Sequence, residues 1–414
     1  MSSGNSSTSC SWIVAQIEAR EHYAVPRALH RERILEHLYT DAWCRWGQNL
    51  LRHAPDPLRS LANRYHPSIP SRRVTAYTGW ASAHRLRNWW KGAPSDTARY
   101  ERYLEKGREF GERVRDALQE GDGKEGNLVF FGYDTGSLEP LRFLEATDCF
   151  TIVDQMDPGR VEKELVLEEM DRWPGWAASA PVLYEPYQER RRAEWTHADA
   201  VVVNSEWSRK ALTQQGVGED KIHVVPLAYD ASGIEPNLGN RYMRDGPLRV
   251  LWLGRVNLRK GIQYLVEAAG EMEDDLLQFD VVGPLKITEE VVDQAPSNMT
   301  FHGRVPRDEV SDYYRNADVF VLPTLSDGFA ITQLEAMAHG LPVVTTPNCG
   351  RVVTDGEDGW IIPPRDSDVL AETLADCARH RAQLHQMAER AHATSKQYTL
   401  GRVADALRSI PPAA

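Results

Sequence analysis

The sequence predicts an α/β protein of two domains, each built on a doubly wound parallel β-sheet. A chain of 414 residues is long enough for two domains of ordinary size. In the second half, short apolar strands alternate with predicted helices, a pattern typical of a parallel sheet. Residues 227–247 are rich in Gly, Pro, Asn and Asp, as an interdomain linker is. We therefore expect domains at residues 1–235 and 236–395, followed by a final segment at residues 396–414.

Strands in the first half are expected at residues 11–17, Leu128–Tyr133, 150–153, Ala200–Val203 and 222–225. Helices are expected from about Pro26 and over residues 98–119. The loop after the first strand lies at the carboxyl end of a parallel sheet, which is where such sheets bind ligands. Arg20 and His22 are therefore candidate ligand contacts, and a surface salt bridge is the alternative for Arg20.

Strands in the second half are expected at Leu248–Leu253, Leu277–Val282, 299–301, Val319–Leu322 and 342–345. A polar loop follows the fourth of these strands, and a helix is expected at residues 332–339. Asp327 in the loop and Glu335 in the helix are separated by seven residues. Each carboxylate can accept hydrogen bonds from two neighbouring hydroxyls, as sugars and riboses present them. The alternative is a solvated loop carboxylate and a glutamate favoured by the helix dipole.

Composition excludes several classes of function. The net charge of −12 argues against a general nucleic-acid binder, which needs a basic face to neutralise phosphates. Five cysteines without C-x-x-C spacing are most simply reduced thiols of a cytoplasmic protein. The sequence shows no signal-peptide pattern and no apolar run of about 18 residues, so we expect no membrane span.

Residues 52–115 are unusually basic, with fourteen Lys and Arg against six Asp and Glu, and Trp80, Trp89 and Trp90 lie among them. Basic residues with interfacial aromatics suit an anionic membrane surface or a lipid-linked substrate. The alternative is a solvated helical face whose aromatic side chains belong to the core. A peripheral contact with the inner face of the membrane therefore stays open.

Several motifs in order resemble those of family 4 of the retaining glycosyltransferases, which have the GT-B fold. They include Gly254-Arg-Val-Asn-Leu-Arg-Lys-Gly, Gly303-Arg-Val-Pro and the acidic pair Asp327 and Glu335. The resemblance covers about residues 199–400. Asp327 stands where the family has Glu, Ala330 replaces a Gly, and the family's Gly-rich first loop is absent.

The resemblance implies two domains facing across a cleft, with the last helix crossing back to the first domain. Arg255 and Lys260 would stabilise the departing diphosphate, Asp327 would hold the hexose, and Glu335 the ribose. Asp154 stands where the family has a His, and would stabilise positive charge on the anomeric carbon or bind a hydroxyl. No metal and no cofactor is expected. The implied donor-binding residues are Gly254, Gly283, Arg304, Val305, Phe329, Ala330, Ile331, Thr332 and Glu335, with Gly283, Arg304 and Val305 at the base.

The function expected from these features is metal-independent, retaining transfer of a hexosyl group from a UDP- or GDP-linked sugar. The acceptor would be a hydroxyl of a glycan, a glycolipid or a small molecule. Two alternatives stay open. One is a nucleotide-sugar-binding protein that no longer catalyses, since the customary His and Gly-rich loop are missing. The other is a sugar-nucleotide epimerase of the same fold, which needs no acceptor.

Overall fold

Two separate parallel β-sheets form the frame of the fold in the computed structural model, which describes residues 10–54, 58–121, 127–236, 238–239, 241–272 and 276–412. The first sheet contains β1 Ser11–Gln16, β2 Leu35–Thr40, β3 Val74–Ala76, β4 Leu128–Tyr133, β5 Phe150–Gln155, β6 Ala200–Val203 and β7 Ile222–Val224. The second contains β8 Leu248–Leu253, β9 Leu277–Val282, β10 Met299–Gly303, β11 Val319–Leu322, β12 Val343–Thr345 and β13 Gly359–Ile361. Their orders are β3-β2-β1-β4-β5-β6-β7 and β10-β9-β8-β11-β12-β13.

Helices cover both faces of each sheet, as parallel sheets require. Within the described residues they are α1 Ala24–Arg31, α2 Gln48–Arg52, α3 Thr78–Trp90, α4 Asp96–Glu120, α5 Leu138–Leu144, α6 Arg160–Arg172, α7 Glu185–His197, α8 Glu206–Gln214, α9 Ile262–Gly270, α10 Glu289–Asp293, α11 Val310–Asn316, α12 Thr332–Ala338, α13 Ser367–Arg379, α14 Arg381–Ser395 and α15 Leu400–Arg408. Short 3₁₀ turns lie at Arg20–Tyr23, Arg59–Asn63, Ser71–Arg73, Glu219–Lys221, Arg241–Met243 and Leu258–Lys260.

The strand order of each sheet reverses direction next to its first strand. In the first sheet β1 pairs with both β2 and β4, and in the second β8 pairs with both β9 and β11. The loops that leave two such neighbouring strands diverge to opposite faces, and the crevice between them is where open α/β sheets bind ligands. The loops after β1, β4, β8 and β11 are therefore the ones that matter for a site.

Most predicted strands are confirmed, and those with continuous apolar sequences match best. The strand at Val319–Leu322 has the predicted bounds and all four of its side chains are fully buried. The strands β2, β3 and β13 were not predicted. In β2, Glu36 and His37 interrupt the apolar pattern, and the His37 ring hydrogen-bonds to Thr75 Oγ1 of β3 at 2.8 Å. Polar side chains paired across two strands therefore concealed this edge of the sheet.

The last helix lies against the first domain. Val403, Ala404 and Leu407 of α15 are buried in the same apolar cluster as Ala28 and Leu29 of α1. Just before this helix, the Tyr398 carbonyl accepts a hydrogen bond from the Tyr229 amide at 2.8 Å. The chain therefore returns to the first domain after completing the second.

Replacing Gly261 by Ala should destabilise the second domain. Gly261 has φ +73°, and an added Cβ would lie 1.8 Å from the carbonyl oxygen of Pro323 after β11. We expect Gly261→Ala to lower the free energy of unfolding by about 2 kcal/mol or more, measured by urea denaturation. Gly79→Ala is the matched control, because nothing lies within 4 Å of its Cβ position. Equal midpoints for the two variants would contradict the tight contact.

Candidate active site

Three loops of the second domain meet where β8, β9 and β10 end. The Gly254 amide donates to the Val282 carbonyl at 3.0 Å, and the Gly283 amide donates to the Gly303 carbonyl at 2.8 Å. Gly283 has φ +139°, and a Cβ there would lie 1.6 Å from the Gly254 carbonyl oxygen. Only glycine fits this position. The loops therefore form one surface, from which Arg304 projects into solvent while Val305 packs partly on the core.

Two cations with different environments lie in the loop after β8. The Arg255 side chain is exposed and makes no hydrogen bond or ion pair within the described part of the chain. Lys260 is buried, and its ammonium contacts the Asp327 carboxylate of the loop after β11. The Asn257 side chain accepts from the Lys260 amide at 3.2 Å and so caps the turn that carries this lysine. One cation thus faces solvent and the other is held in place.

Burial and two neighbouring arginines oppose the charged form of Lys260, against the attraction of the Asp327 carboxylate. Burial, and after it the Arg259 guanidinium, lower the pKa of Lys260 to about 7. Arg255 lowers this pKa as well, which shows that the two cations are near enough to repel each other. A bound anion at this point would relieve that repulsion and favour the ammonium.

Asp327 organises the loop before α12. Its Oδ1 atom accepts from the amides of Phe329 at 3.1 Å and Ala330 at 2.9 Å. Ala330 has φ +58°, and the Phe329 side chain is buried against Gly350 and Tyr398. The Phe329 and Ala330 amides already have an acceptor, so neither is a free donor for a ligand in this structure.

Ile331 and Thr332 lie at the start of α12 and are half-buried. Their amides make no backbone hydrogen bond outside regular elements among the described residues, and the Thr332 hydroxyl is buried without a partner there. Of the amides at the helix start that were predicted to contact the donor, those of Ile331 and Thr332 therefore have no acceptor yet. Because α12 has only seven residues, its dipole is a minor contribution.

Glu335 lies one turn into α12, half-buried at the edge of the cleft. Its Oε2 atom accepts from the hydroxyl of Tyr314, a buried residue of α11, at 2.9 Å. Tyr229 is close as well, because burial and then Glu335 raise the pKa of Tyr229 to about 12 while Arg307 opposes this. The Oε1 atom of Glu335 has no hydrogen-bond partner among the described residues and is the atom available to a ligand.

The end of β5 carries Asp154, which pairs in register with Tyr133 of β4. Asp154 is 7% exposed, and burial, followed by Glu21 and Asp134, raises its pKa well above the usual value. The Tyr133 hydroxyl is buried with no partner among the described residues. A neutral Asp154 is a hydrogen-bond donor and acceptor for a hydroxyl. It suits the hydroxyl-binding alternative better than the stabilisation of positive charge.

The loop after β1 is strained. Glu21, His22 and Tyr23 have φ values of +50°, +52° and +61°, a conformation that costs non-glycine residues about 1–3 kcal/mol each. Arg20 Nη1 donates to the Met156 sulfur at 3.0 Å, which joins this loop to the one after β5. His22 is exposed, and desolvation followed by Arg307 and Arg27 lowers its pKa.

Helix α6 of the first domain contacts the second domain at the same place. Glu162 accepts from Arg259 Nη1 at 2.9 Å and from Ser326 Oγ at 3.1 Å. Glu169 is fully buried and accepts from the Tyr264 hydroxyl at 2.7 Å. These contacts bring loops of both domains into one site.

Comparisons with known proteins agree on the fold and on the family of the second domain. Residues 247–380 match the family model described as glycosyl transferases group 1. The second domain belongs to the glycosyl transferases group 1. Sucrose-phosphate synthase from Thermosynechococcus elongatus superposes with a TM-score of 0.65 at 17% identity, covering 97% of this chain and 98% of that one. Anabaena Alr3699/HepE in complex with UDP gives a TM-score of 0.60 at 12% identity, covering 96% and 98%. The fold is therefore GT-B.

Two curated relatives each match less than half of this chain. The amylovoran biosynthesis glycosyltransferase AmsK of Erwinia amylovora is 28% identical over 196 residues, which are 43% of this chain and 47% of that protein. The D-inositol 3-phosphate glycosyltransferase of Paenarthrobacter aurescens is 29% identical over 183 residues, 40% of this chain and 45% of that protein. The chain thus spans about half the length of the curated relatives it matches.

The group 1 domain brings most of the predicted residues to one wall of the GT-B cleft. Arg255, Lys260, Asp327 and Glu335 lie on loops that follow β8 and β11 and at the start of α12. The sequence did not single out four further charged residues of the cleft, Glu21, Glu162, Arg259 and Arg307. Glu162 and Arg259 pair with each other across 97 residues of sequence, so no local pattern reveals the contact, although Arg259 lies within the Gly254 motif.

Two absences are observed within the described ranges. These residues contain no group of three or more His, Cys, Asp or Glu that could hold a metal ion. No helix among them is long and apolar enough to cross a membrane.

The pKa of Lys260 makes nucleotide binding sensitive to pH. A bound diphosphate favours the ammonium and raises its pKa, so affinity is complete below about pH 7 and is lost as pH rises from there. We expect calorimetry with the tightest binder among UDP, GDP and ADP to show a fall of up to about tenfold per pH unit. Lys260→Arg, which stays charged, should remove this dependence. The same slope in both proteins would contradict the assignment.

Proposed function

We propose that this chain transfers a hexosyl group from a nucleoside-diphosphate sugar to an acceptor hydroxyl, with retention of anomeric configuration and without a metal ion. The observation that carries the proposal is the pair formed by exposed Arg255 and buried Lys260, one loop away from the half-buried Glu335. A diphosphate beside the cations places the adjoining ribose toward the glutamate. The donor base would then lie against Gly283, Arg304 and Val305.

Charge development on the leaving group explains the need for cations. When the glycosidic bond breaks, negative charge grows on the β-phosphate, and preorganised cations stabilise that charge in the transition state. Arg255 can make two parallel hydrogen bonds to phosphate oxygens, and Lys260 supplies a point charge. In the retaining reaction implied by the family resemblance, the departing phosphate accepts the proton of the acceptor hydroxyl. Cofactor chemistry has no part in this proposal.

Asp327 would change partners when the donor binds. Its Oδ2 atom contacts Lys260, while its Oδ1 atom holds the amides of Phe329 and Ala330. A bound diphosphate would compete for the Lys260 ammonium and leave Oδ2 free to accept from a hexose hydroxyl. Hexose binding by Asp327 would thus follow diphosphate binding by Lys260. Asp154, on the opposite wall, would contact another hydroxyl as a neutral acid.

The test is donor turnover in excess EDTA. We expect wild-type protein to release nucleoside diphosphate there, and Arg255→Ala to lower kcat by about 10²–10³-fold, or about 3–4 kcal/mol, with a smaller change in donor affinity. Arg72→Ala, which removes an exposed arginine before β3, is the matched control. Activity lost with EDTA and restored by magnesium would contradict metal independence.

The same assay separates the alternatives. NMR of the first-formed product would show the donor's anomeric configuration for a retaining transferase, whereas an inverted product contradicts retention. A protein that binds the nucleotide sugar and never releases diphosphate product would be a binding protein. Conversion of the donor without any acceptor would indicate the epimerase.

We also propose that the first domain contacts an anionic membrane surface. Six exposed large apolar side chains lie between residues 46 and 103, and they are Trp46, Leu50, Leu86, Trp89, Trp90 and Tyr103. Trp90 is 82% exposed, so the core alternative is wrong for this residue, whereas Trp80 packs on Phe110. Arg87, Lys91 and Arg102 lie beside the exposed residues in the sequence. Aromatic side chains among cations suit the headgroup region of anionic lipids.

Vesicle sedimentation tests this contact. We expect binding to phosphatidylglycerol vesicles and not to phosphatidylcholine vesicles, reduced about tenfold by the double substitution Trp89→Ser and Trp90→Ser. Met243→Ser removes a side chain that is 80% exposed elsewhere, and it should leave binding unchanged. Equal binding by all three proteins would exclude this surface.

A further inference from the structure

A pocket outside the donor wall lies in the first domain, between the loop after β1 and the 3₁₀ turn Arg59–Asn63. Its volume is about 280 Å³, and Glu18, Arg20, His22, Asn63 and Arg64 are among the residues that line it. The loop after β1 is at the carboxyl edge of the first sheet, and His22 faces Arg307 of the second domain. The pocket therefore opens beside the cleft, on the side opposite the donor loops.

Cations outnumber carboxylates behind this pocket. Asp41 is fully buried, and Arg85, Lys106 and Arg64 approach its carboxylate at 3.3, 3.4 and 3.9 Å. Glu18 pairs with Lys106 at 3.2 Å and with Arg64 at 3.3 Å. Two carboxylates thus share three cations. Burial would raise the pKa of Glu18, but Lys106 and Arg64 lower it to about 2, so Glu18 is ionised and cannot reduce the positive excess further.

Two of these guanidinium groups each have one nitrogen without an acceptor, although their other nitrogens approach carboxylates. Arg64 is 5% exposed, and its Nε atom is buried with no hydrogen-bond partner among the described residues. The Nη1 atom of Arg85 is likewise buried with no hydrogen-bond partner among the described residues. A buried N–H group of a charged side chain that has no acceptor has lost its hydrogen bond to water and is destabilising. Because Arg64 lines the pocket, its incompletely paired guanidinium group is one of the cations that an anion bound there would approach.

Two arginines act on the histidines at the mouth of the pocket. Desolvation, then Arg307 and then Arg27 lower the pKa of His22, and no carboxylate opposes them. The pKa of His66 is lowered as well, by desolvation and then by Arg27 and His22. Two guanidinium groups, those of Arg27 and Arg307, therefore act on two imidazoles at the mouth, and Asp230 is the carboxylate that opposes Arg27. An anionic ligand is the partner that this arrangement lacks.

We infer that this pocket binds an anionic group of the acceptor, either a phosphate ester or a carboxylate, between Arg64 at its base and Arg20 and His22 at its mouth. The inference rests on the proposed function, because the acceptor belongs on the wall opposite the donor. Asn63, exposed at the end of the 3₁₀ turn, supplies an amide donor at the rim. A neutral sugar alone would leave the cations unmatched.

The experiment is titration of the full chain, labelled with ¹³C-histidine, without any nucleotide. Sulfate, glucose 6-phosphate and glucuronate are the probes, and glucose is the neutral control. His22→Gln identifies the His22 signal. We expect a saturable shift of that signal with sulfate and with at least one of the two sugar acids, and none with glucose. A shift with glucose 6-phosphate alone assigns a phosphate ester, and one with glucuronate alone assigns a carboxylate.

Asn63→Asp is the decisive variant, because it adds a carboxylate at the rim without touching the buried ion pairs. We expect it to weaken anion binding at least about tenfold. Asn316→Asp makes the same change at an exposed position at the end of α11 and should have no effect. Arg64→Gln should abolish binding, with a thermal melt recorded to separate unfolding from loss of the site.

Three results would overturn the inference: no shift with any anion, a shift that does not saturate, or equal binding by Asn63→Asp and wild type. The titration involves no donor and no turnover. Absence of anion binding would therefore leave sugar transfer untouched, and absence of sugar transfer would leave the titration result intact.

Discussion

The ion pair between Lys260 and Asp327 joins the loop after β8 to the loop after β11. The geometry of the donor wall, which these loops of the second domain form, depends on it. A buried ammonium costs several kcal/mol unless a partner is present, so the two loops are held together by electrostatic need as well as by packing. The other oxygen of Asp327 fixes the amides of Phe329 and Ala330, which start α12. Glu335 follows one turn later, so a single carboxylate determines the positions of both Lys260 and Glu335.

The net charge of the whole chain does not predict the charge inside the cleft. With a net charge of −12 the protein as a whole repels anions at long range. Salt screens such repulsion over a Debye length of about 8 Å, so a ligand inside the cleft experiences mainly the nearest groups. Those groups include the guanidinium groups of Arg255, Arg304 and Arg307 in the second domain and of Arg27 in the first. A negative protein can therefore present a positive site, and composition alone excludes nucleic acid without excluding smaller anions.

Sequence patterns predicted what is local and missed what is paired across the chain. The strand Val319–Leu322 is encoded by neighbouring residues and has the predicted bounds. The cations of the Gly254 motif are also neighbours in the sequence, and their role in binding a diphosphate stays a prediction. The strand Leu35–Thr40 was missed because the partner of His37 lies in another strand. Glu162 was missed because its contact, Arg259, is almost a hundred residues away. Burial of Asp154 also follows from three adjacent strands, and no local pattern reveals it.

The loop after β1, on the first-domain side of the cleft, has three consecutive residues with positive φ angles. Glycine would adopt the positive φ angles of Glu21, His22 and Tyr23 without the steric cost that these residues bear. Tyr23 offsets part of that cost because its ring is buried in the core, which contributes about 2 kcal/mol. Glu21 and His22 have no such compensation. The His22 ring is exposed toward Arg307, and Glu21 Oε1 is buried without a partner in the described structure. Packing therefore accounts for Tyr23 and not for Glu21 and His22, and strain without such compensation is typical of functional loops.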